Sequence, residues 1–244
     1  MKVVIVGATS GIGRALASVF SENGHEVGIT GRRRELLDSL KAELPTRCYT
    51  AQFDLSSVED SIVAFNTLAA EMGAIDIVII NSGVGTTNIE FPLQDDLDTI
   101  SVNVTGFTTI ANMAYHYFCQ LGKGHIVGMS SVAAVRGGPF ASYNASKAFV
   151  SSYLEGLACR RESRQGDIFI TDIRPGFVDT AMAKGDDLFW VASPTKAAHQ
   201  IYLGIVRKQR IVYITRRWRW LAYLIKALPF SLYRFLVGRG AEKQ

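Results

Sequence analysis

Seven short runs rich in Val and Ile recur along the chain, most of them followed by a stretch long enough for a helix, and this alternation limits the fold more than any other feature. The runs are KVVIVG, HEVGITG, RCYTAQFD, DIVIINSG, HIVGMSS, DIFITDIRPG and RIVYIT. Helix-like stretches lie between them at about 11–23, 34–43 and 58–72, in a long region ending near residue 121, and around Tyr143. Strands that are apolar on both faces and joined by helical crossovers form a parallel sheet covered on both sides. The expected fold is α/β, a doubly wound parallel sheet of about seven strands. A length of 244 residues at 48% hydrophobic content supports one large core, and residues 1–215 are read as a single domain. The opening apolar run, Val3 to Val6, is too short for a signal-peptide core and is read as the first strand.

The first strand enters GATSGIG, where glycines permit a tight turn and close approach of the backbone to a pyrophosphate at the start of a helix. Gly7, Thr9, Ser10, Gly11, Ile12 and Gly13 are therefore the candidate dinucleotide cradle. A plain structural turn is the other reading of such a loop. At the end of the second strand an NAD site would place a carboxylate for the ribose 2'-hydroxyl. The chain has Thr30, Gly31, Arg32, Arg33 and Arg34 there, and guanidinium groups bind a phosphate through bidentate, charge-assisted bonds. Arg32 and Arg33 are assigned to the 2'-phosphate and NADP is the expected cofactor; the alternative is a solvated basic helix start.

The ordered motifs GATSGIG, FDLSS, NSG at 81–83, SVNVTG, SSVAA at 130–134, YNASK at 143–147 and RPGFVDT at 174–180 resemble those of the short-chain dehydrogenases/reductases of the small, single-domain type, over about residues 1–215. The resemblance implies a Rossmann-type sheet, adenine contacts at Asp54 and Leu55, and ribose and sheet-edge contacts at Asn81 and Gly83. It also implies that Pro175, Gly176, Val178 and Thr180 hold the nicotinamide amide and diphosphate. Val6 and Ser82 depart from the residues common at those positions in the family.

Tyr143 and Lys147 stand four residues apart, so on a helix they share one face. A nearby ammonium stabilises a phenolate and pulls its pKa from about 10 toward the working range, which makes Tyr143 a candidate general acid/base. A strand-borne serine can polarise and orient a carbonyl oxygen. Family usage points to Ser131, with Ser130 turned to the other face, although Ser131 lies 12 residues before Tyr143 where many relatives have 13. By resemblance, Asn103 is the helix-breaking asparagine that holds a water leading from Lys147 to solvent.

These residues imply hydride transfer between NADP and a carbonyl or secondary alcohol. The competing class is a non-catalytic NADP-binding sensor or scaffold, which would have no need of Ser131, Asn103, Tyr143 and Lys147 together. In AMAKGDDLFW, where relatives close over substrate, Met182, Phe189 and Trp190 suggest an apolar substrate, with Lys184 a complication. Isolated histidines such as His125 and His199 lack metal-ligand spacing, and no metal is expected. Arg14 and Arg136 carry no functional assignment.

Charge is uneven: residues 1–187 hold 15 Lys and Arg against 21 Asp and Glu, whereas 188–244 hold 11 against 1. Residues 216–244 are read as a basic, aromatic C-terminal extension. Its longest uncharged run is seven residues, far below the roughly 20 of a spanning helix. Arg216, Arg219 and Lys226 form a basic stripe beside Trp218 and Trp220. Two readings remain: a helix in an anionic membrane interface, or one packed on a second subunit, and homo-oligomerisation is expected of the family. No groove-reading module suggests nucleic acid. Cys48, Cys119 and Cys159 show no paired or metal spacing, consistent with reduced thiols in the cytoplasm, with peripheral contact to the inner face of a membrane through the extension left open.

Overall fold

The computed structural model describes residues 1–85, 90, 92–160, 167–181 and 189–241. Seven parallel strands form one sheet: β1 (Lys2–Val6), β2 (Glu26–Gly31), β3 (Cys48–Gln52), β4 (Ile77–Ile80), β5 (Gly124–Met129), β6 (Ile168–Pro175) and β7 (Ile211–Ile214). Their order is β3-β2-β1-β4-β5-β6-β7. The reversal of winding between β1 and β4, which are paired from Val3↔Ile77 to Val6↔Ile80, opens a crevice at the carboxyl ends of the strands, where such sheets bind ligands.

Period-two side chains of the central strands feed two cores, which is why those strands read as continuous apolar runs. Val3 and Ile5 of β1 point into one core with Leu16 and Phe20 of α1 (Gly11–Glu22) and Ile201 of the helix Pro194–Val206. Val4 and Val6 point into the other, with Leu68 of α3 (Val58–Met72) and Phe118. Between the flanking helices α2 (Arg34–Glu43) and α3, Ser57 caps α3 by accepting from the Asp60 N–H at 3.2 Å.

The long helical region expected up to residue 121 divides. A helix, α4 (Leu93–Ile100), passes through a widened π-helical turn, Ser101–Gly106, into α5 (Phe107–Leu121). A β-carbon at Gly106 would collide with the Leu55 carbonyl, so this turn is pressed against the β3–α3 connection. After β5 come a short 3-10 turn, Val132–Val135, and α6 (Ala141–Cys159). The helix Pro194–Val206 is α7; it begins with Ser193 as cap and proline in its first turn, a start signal present in the sequence. The C-terminal extension forms α8 (Trp218–Ala227) and α9 (Phe230–Ala241), separated at Pro229. Arg216 precedes α8, so the basic stripe on that helix consists of Arg219 and Lys226.

Candidate active site

The crevice is built first by β1 and its turn. Gly7 and Gly11 have φ of +87° and +56°, where side chains are strained, and Asn81 fixes the turn by donating from Nδ2 to the Gly7 carbonyl at 2.8 Å. Ser82 lies directly over Gly7. A β-carbon at Gly13 would collide with the Gly7 carbonyl, so helix and turn are in contact. Ser10 is the N-cap of α1 in extended conformation and its side chain makes no cap hydrogen bond. The helix start thus presents backbone N–H groups toward the crevice, with Ile12 packed beneath on the core.

The arginines divide. Arg34 pairs with Asp38 along α2. Arg33 reaches over the turn, donating to Thr9 Oγ1 at 2.8 Å and Ser10 Oγ at 3.0 Å, and Arg32 stands 3.6 Å from Asp54. Partial burial works against ionisation of Asp54, but bonds from the Ser56 N–H and hydroxyl, together with Arg32, hold its carboxyl below the usual range. A cleft of about 440 Å³ runs from Arg32 and Asp54 to Val84, Gly85 and Val102, with Asp95 and Asp98 of α4 on its wall. Leu55 is in the core, so only its backbone is available to a ligand. These features, an uncapped helix start over a glycine turn and two guanidinium groups at the end of β2, fit a phosphorylated dinucleotide.

The other half of the site is held by α6. Its start is pinned to the preceding turn by Asn144, whose Nδ2 donates to the carbonyls of Ala133 at 3.0 Å and Arg136 at 3.2 Å. Tyr143 and Lys147 leave the same face, the Lys147 Nζ lying 5.7 Å from the centre of the Tyr143 ring and donating to the Met129 carbonyl at 3.0 Å. Lys147 is buried, and desolvation pulls its pKa down to about 8 while the charge of Asp172 acts to raise it. Burial raises the Tyr143 phenol, and a hydrogen bond with Ser131 acts to lower it. The downward pull expected from Lys147 is not among the causes of this shift: desolvation dominates and the phenol stays protonated.

Consecutive residues 130 and 131 face opposite ways. Ser130 donates to Asp172 Oδ1 and to the Ile173 carbonyl at 3.1 Å, inside the sheet. Ser131, the N-cap of the 3-10 turn, accepts from the Ala133 N–H at 3.0 Å and lies near enough to Tyr143 to act on its phenol. Asn103 projects inward from the π-helical turn; it accepts from the Val84 N–H at 2.8 Å and donates to the Val84 carbonyl at 2.7 Å and to Ser146 Oγ at 3.0 Å. Gly83 backs onto both: a β-carbon there would lie 2.9 Å from Lys147 Nζ and 3.4 Å from Asn103 Oδ1.

Pro175 ends β6, and its carbonyl accepts from Ser131 Oγ at 3.4 Å. The chain then crosses back: Val178 bridges to Ala192, and the Thr180 methyl would lie 3.0 Å from a β-carbon at Gly11. Gly176 packs flat on the buried Trp218 ring, which meets Phe177 at 5.4 Å and stacks on Phe189 at 5.2 Å. Met182 and Lys184 lie outside the described residues.

Three features were not apparent from the sequence. Gly85 lies against the Tyr143 ring. Asp172 anchors a buried network, accepting from Ser151 Oγ at 2.8 Å and Arg174 Nε at 2.7 Å behind Lys147; its signal was a carboxylate inside an otherwise apolar strand. Arg136 donates to the carbonyls of Ile225 at 3.0 Å and Leu228 at 2.6 Å, satisfying the end of α8. His125 is a core residue bonded to Thr171, lowered to about 4 by burial.

Residues 1–188 match the family described as short chain dehydrogenase. An uncharacterized oxidoreductase of Myxococcus xanthus is 35% identical over 185 residues, which is 73% of this chain and 72% of that protein. The NADP-dependent 3-hydroxy acid dehydrogenase YdfG of Salmonella typhi is 33% identical over 201 residues, 77% of this chain and 78% of its own. A solved short-chain dehydrogenase from Sphingobium yanoikuyae in complex with NADPH superposes with a TM-score of 0.79 at 26% identity, covering 94% of this chain and 96% of that one.

Proposed function

The chain belongs to the short-chain dehydrogenase family, and from that premise we propose that it is an NADP-dependent oxidoreductase acting on an apolar carbonyl or secondary alcohol, with Tyr143 as general acid/base. The glycine turn and α1 hold the pyrophosphate, Arg32 and Arg33 meet the 2'-phosphate, and the 175–180 segment closes the nicotinamide end. The bound cofactor supplies or accepts the hydride. Ser131 binds and orients the carbonyl oxygen, and Tyr143 hands its proton to that oxygen as negative charge develops there. The Lys147 ammonium below the ring favours the phenolate that remains, and Asn103 fixes the backbone at Val84 beside them.

The observation that carries this reading is the Tyr143 ring beside a buried Lys147, whose Nζ lies 5.7 Å from the ring centre, with the Ser131 hydroxyl acting on the phenol. Desolvation keeps the phenol protonated, the form needed to reduce a carbonyl. An apolar substrate is supported by Phe177, Phe189, Trp190 and Trp218, which gather beside Gly176. Self-association belongs to the same reading, supported by exposed Leu203 and Val206 of α7 and Ile211 of the edge strand β7. A cytoplasmic setting is supported by three free thiols.

The test is NADPH consumption over a panel of ketones and aldehydes. Tyr143→Phe is expected to lower turnover by roughly 10²- to 10⁴-fold while NADPH still binds. Equal rates in the two proteins would leave a cofactor-binding protein without this chemistry.

A further inference from the structure

Helices α8 and α9 carry an apolar surface that the other described residues leave bare. On α8, Trp218 and Ala222 are buried, whereas Trp220, Tyr223 and Leu224, spaced i, i+3 and i+4, form an opposite face, with Trp220 at 74% exposure. Phe230, Leu232 and Leu236 of α9 are also exposed. From Arg216 to Ala241 the sequence has six Lys and Arg and no Asp or Glu. Arg216, Arg217, Arg219, Lys226 and Arg234 are all exposed, and the Arg219 guanidinium sits 5.8 Å from the centre of the Tyr223 ring. A surface this apolar marks a docking site, and its charge selects an anionic partner.

A second copy meeting this surface through a twofold axis would set the same cations against one another. A one-sided contact with the acidic residues of α4 on another copy would cover Asp95 and Asp98, the wall of that copy's cleft, and would run on from copy to copy unless it closed into a ring. An anionic bilayer avoids both difficulties: Trp and Tyr rings settle at the headgroup level while Arg and Lys meet the lipid phosphates. Among the described residues no helix is long and apolar enough to cross a membrane, so the pair would lie along the surface.

We propose that α8 and α9 dock this protein on an anionic lipid surface, with Trp220, Tyr223, Leu224 and Phe230 entering the headgroup layer. The orientation follows from how the pair is held. Arg136 binds the carbonyl end of α8 and stacks on Tyr233 at 4.3 Å, and Tyr233 donates to the Gly137 carbonyl at 2.5 Å. The segment from Ser131 to Gly138 is therefore shared by the lipid-facing helices and the catalytic face of α6. The proposal goes beyond the reductase reading and does not depend on it.

The test is flotation of the full-length protein with phosphatidylcholine vesicles, with and without phosphatidylglycerol, at low and high salt. The protein is expected to rise with the phosphatidylglycerol vesicles and to be released by salt. The double variant Trp220→Glu with Leu224→Glu is expected to lose apparent affinity by about tenfold or more while its melting temperature and NADPH binding match the parent. Phe230→Glu on α9 gives an independent measurement, with a loss in the same direction. Parent protein that ignores both vesicles, or variants that float equally well, would overturn the proposal. So would a parent that binds no vesicle but whose sedimenting mass falls on the double substitution, because the surface would then belong to a second copy of the chain.

Discussion

Gly85 makes room for Tyr143: a β-carbon at position 85 would stand 2.7 Å from Cδ2 of the tyrosine ring and 3.1 Å from Cε2. The ring has Lys147 on one side and its helix is pinned by Asn144, so it cannot yield without moving the phenol. Gly85→Ala is expected to lower turnover on the order of 10²-fold through misplacement of the proton donor. NADPH affinity should change little, since the glycine turn is untouched. Steady-state kinetics alongside cofactor titration checks the split; parallel losses in both would contradict it.

In the proposed reading, cofactor choice rests on the two guanidinium groups at the end of β2. Charge-assisted hydrogen bonds contribute about 1.5–3 kcal/mol each. Arg32→Ala and Arg33→Ala should therefore each weaken NADPH by roughly ten- to a hundredfold and leave NADH nearly unchanged. Fluorescence titration with both dinucleotides measures it. Arg34→Ala, which breaks only the pair with Asp38 on α2, should leave both affinities as they are.

The pH dependence follows from Lys147. Burial lowers it to about 8, so its ammonium is intact well below that value and is lost as pH rises through it. Tyr143 is shifted upward by burial and keeps its proton over the same interval. Carbonyl reduction should be level through neutral pH and fall above about 8. Asp172→Asn removes the carboxylate that works to keep Lys147 charged, and the fall should begin at lower pH. Profiles of kcat/KM for the two proteins decide the matter, and superimposable curves would show that Asp172 has no influence on the lysine.

The sheet could be read from sequence because strands buried on both faces keep a continuous apolar run, and because glycines at a strand-to-helix turn have few other uses. Tyr143 and Lys147 could be placed together because their spacing alone fixes a common face on α6. Asp172 and Gly85 could not. Each acts on a residue that is remote in sequence, and a lone carboxylate or glycine has no spacing to reveal its partner until β6 lies beside β5 and Gly85 lies against Tyr143 of α6. The division of the 93–121 region was hidden for a related reason: the residues of the π-helical turn suit an ordinary helix, and the packing of Gly106 on Leu55 is a tertiary contact.

Trp218 fills the space under Gly176 and beside Phe177, at 4% exposure. Trp218→Ala should destabilise the protein by about 3–5 kcal/mol, read as a lower melting temperature. A change within experimental scatter would mean that the ring is not part of the folded core.

The clasp of Arg136 on the last carbonyls of α8 ties the C-terminal helices to the turn between Ser131 and α6. A chain cut after Thr215 would uncover the aromatic cluster under the nicotinamide-side loop and strip the guanidinium of its acceptors, five residues from Ser131. Loss of turnover in such a shortened protein would report a damaged pocket wall. Only point changes on the outward face of these helices can separate what they do for the reaction from what they do at a surface.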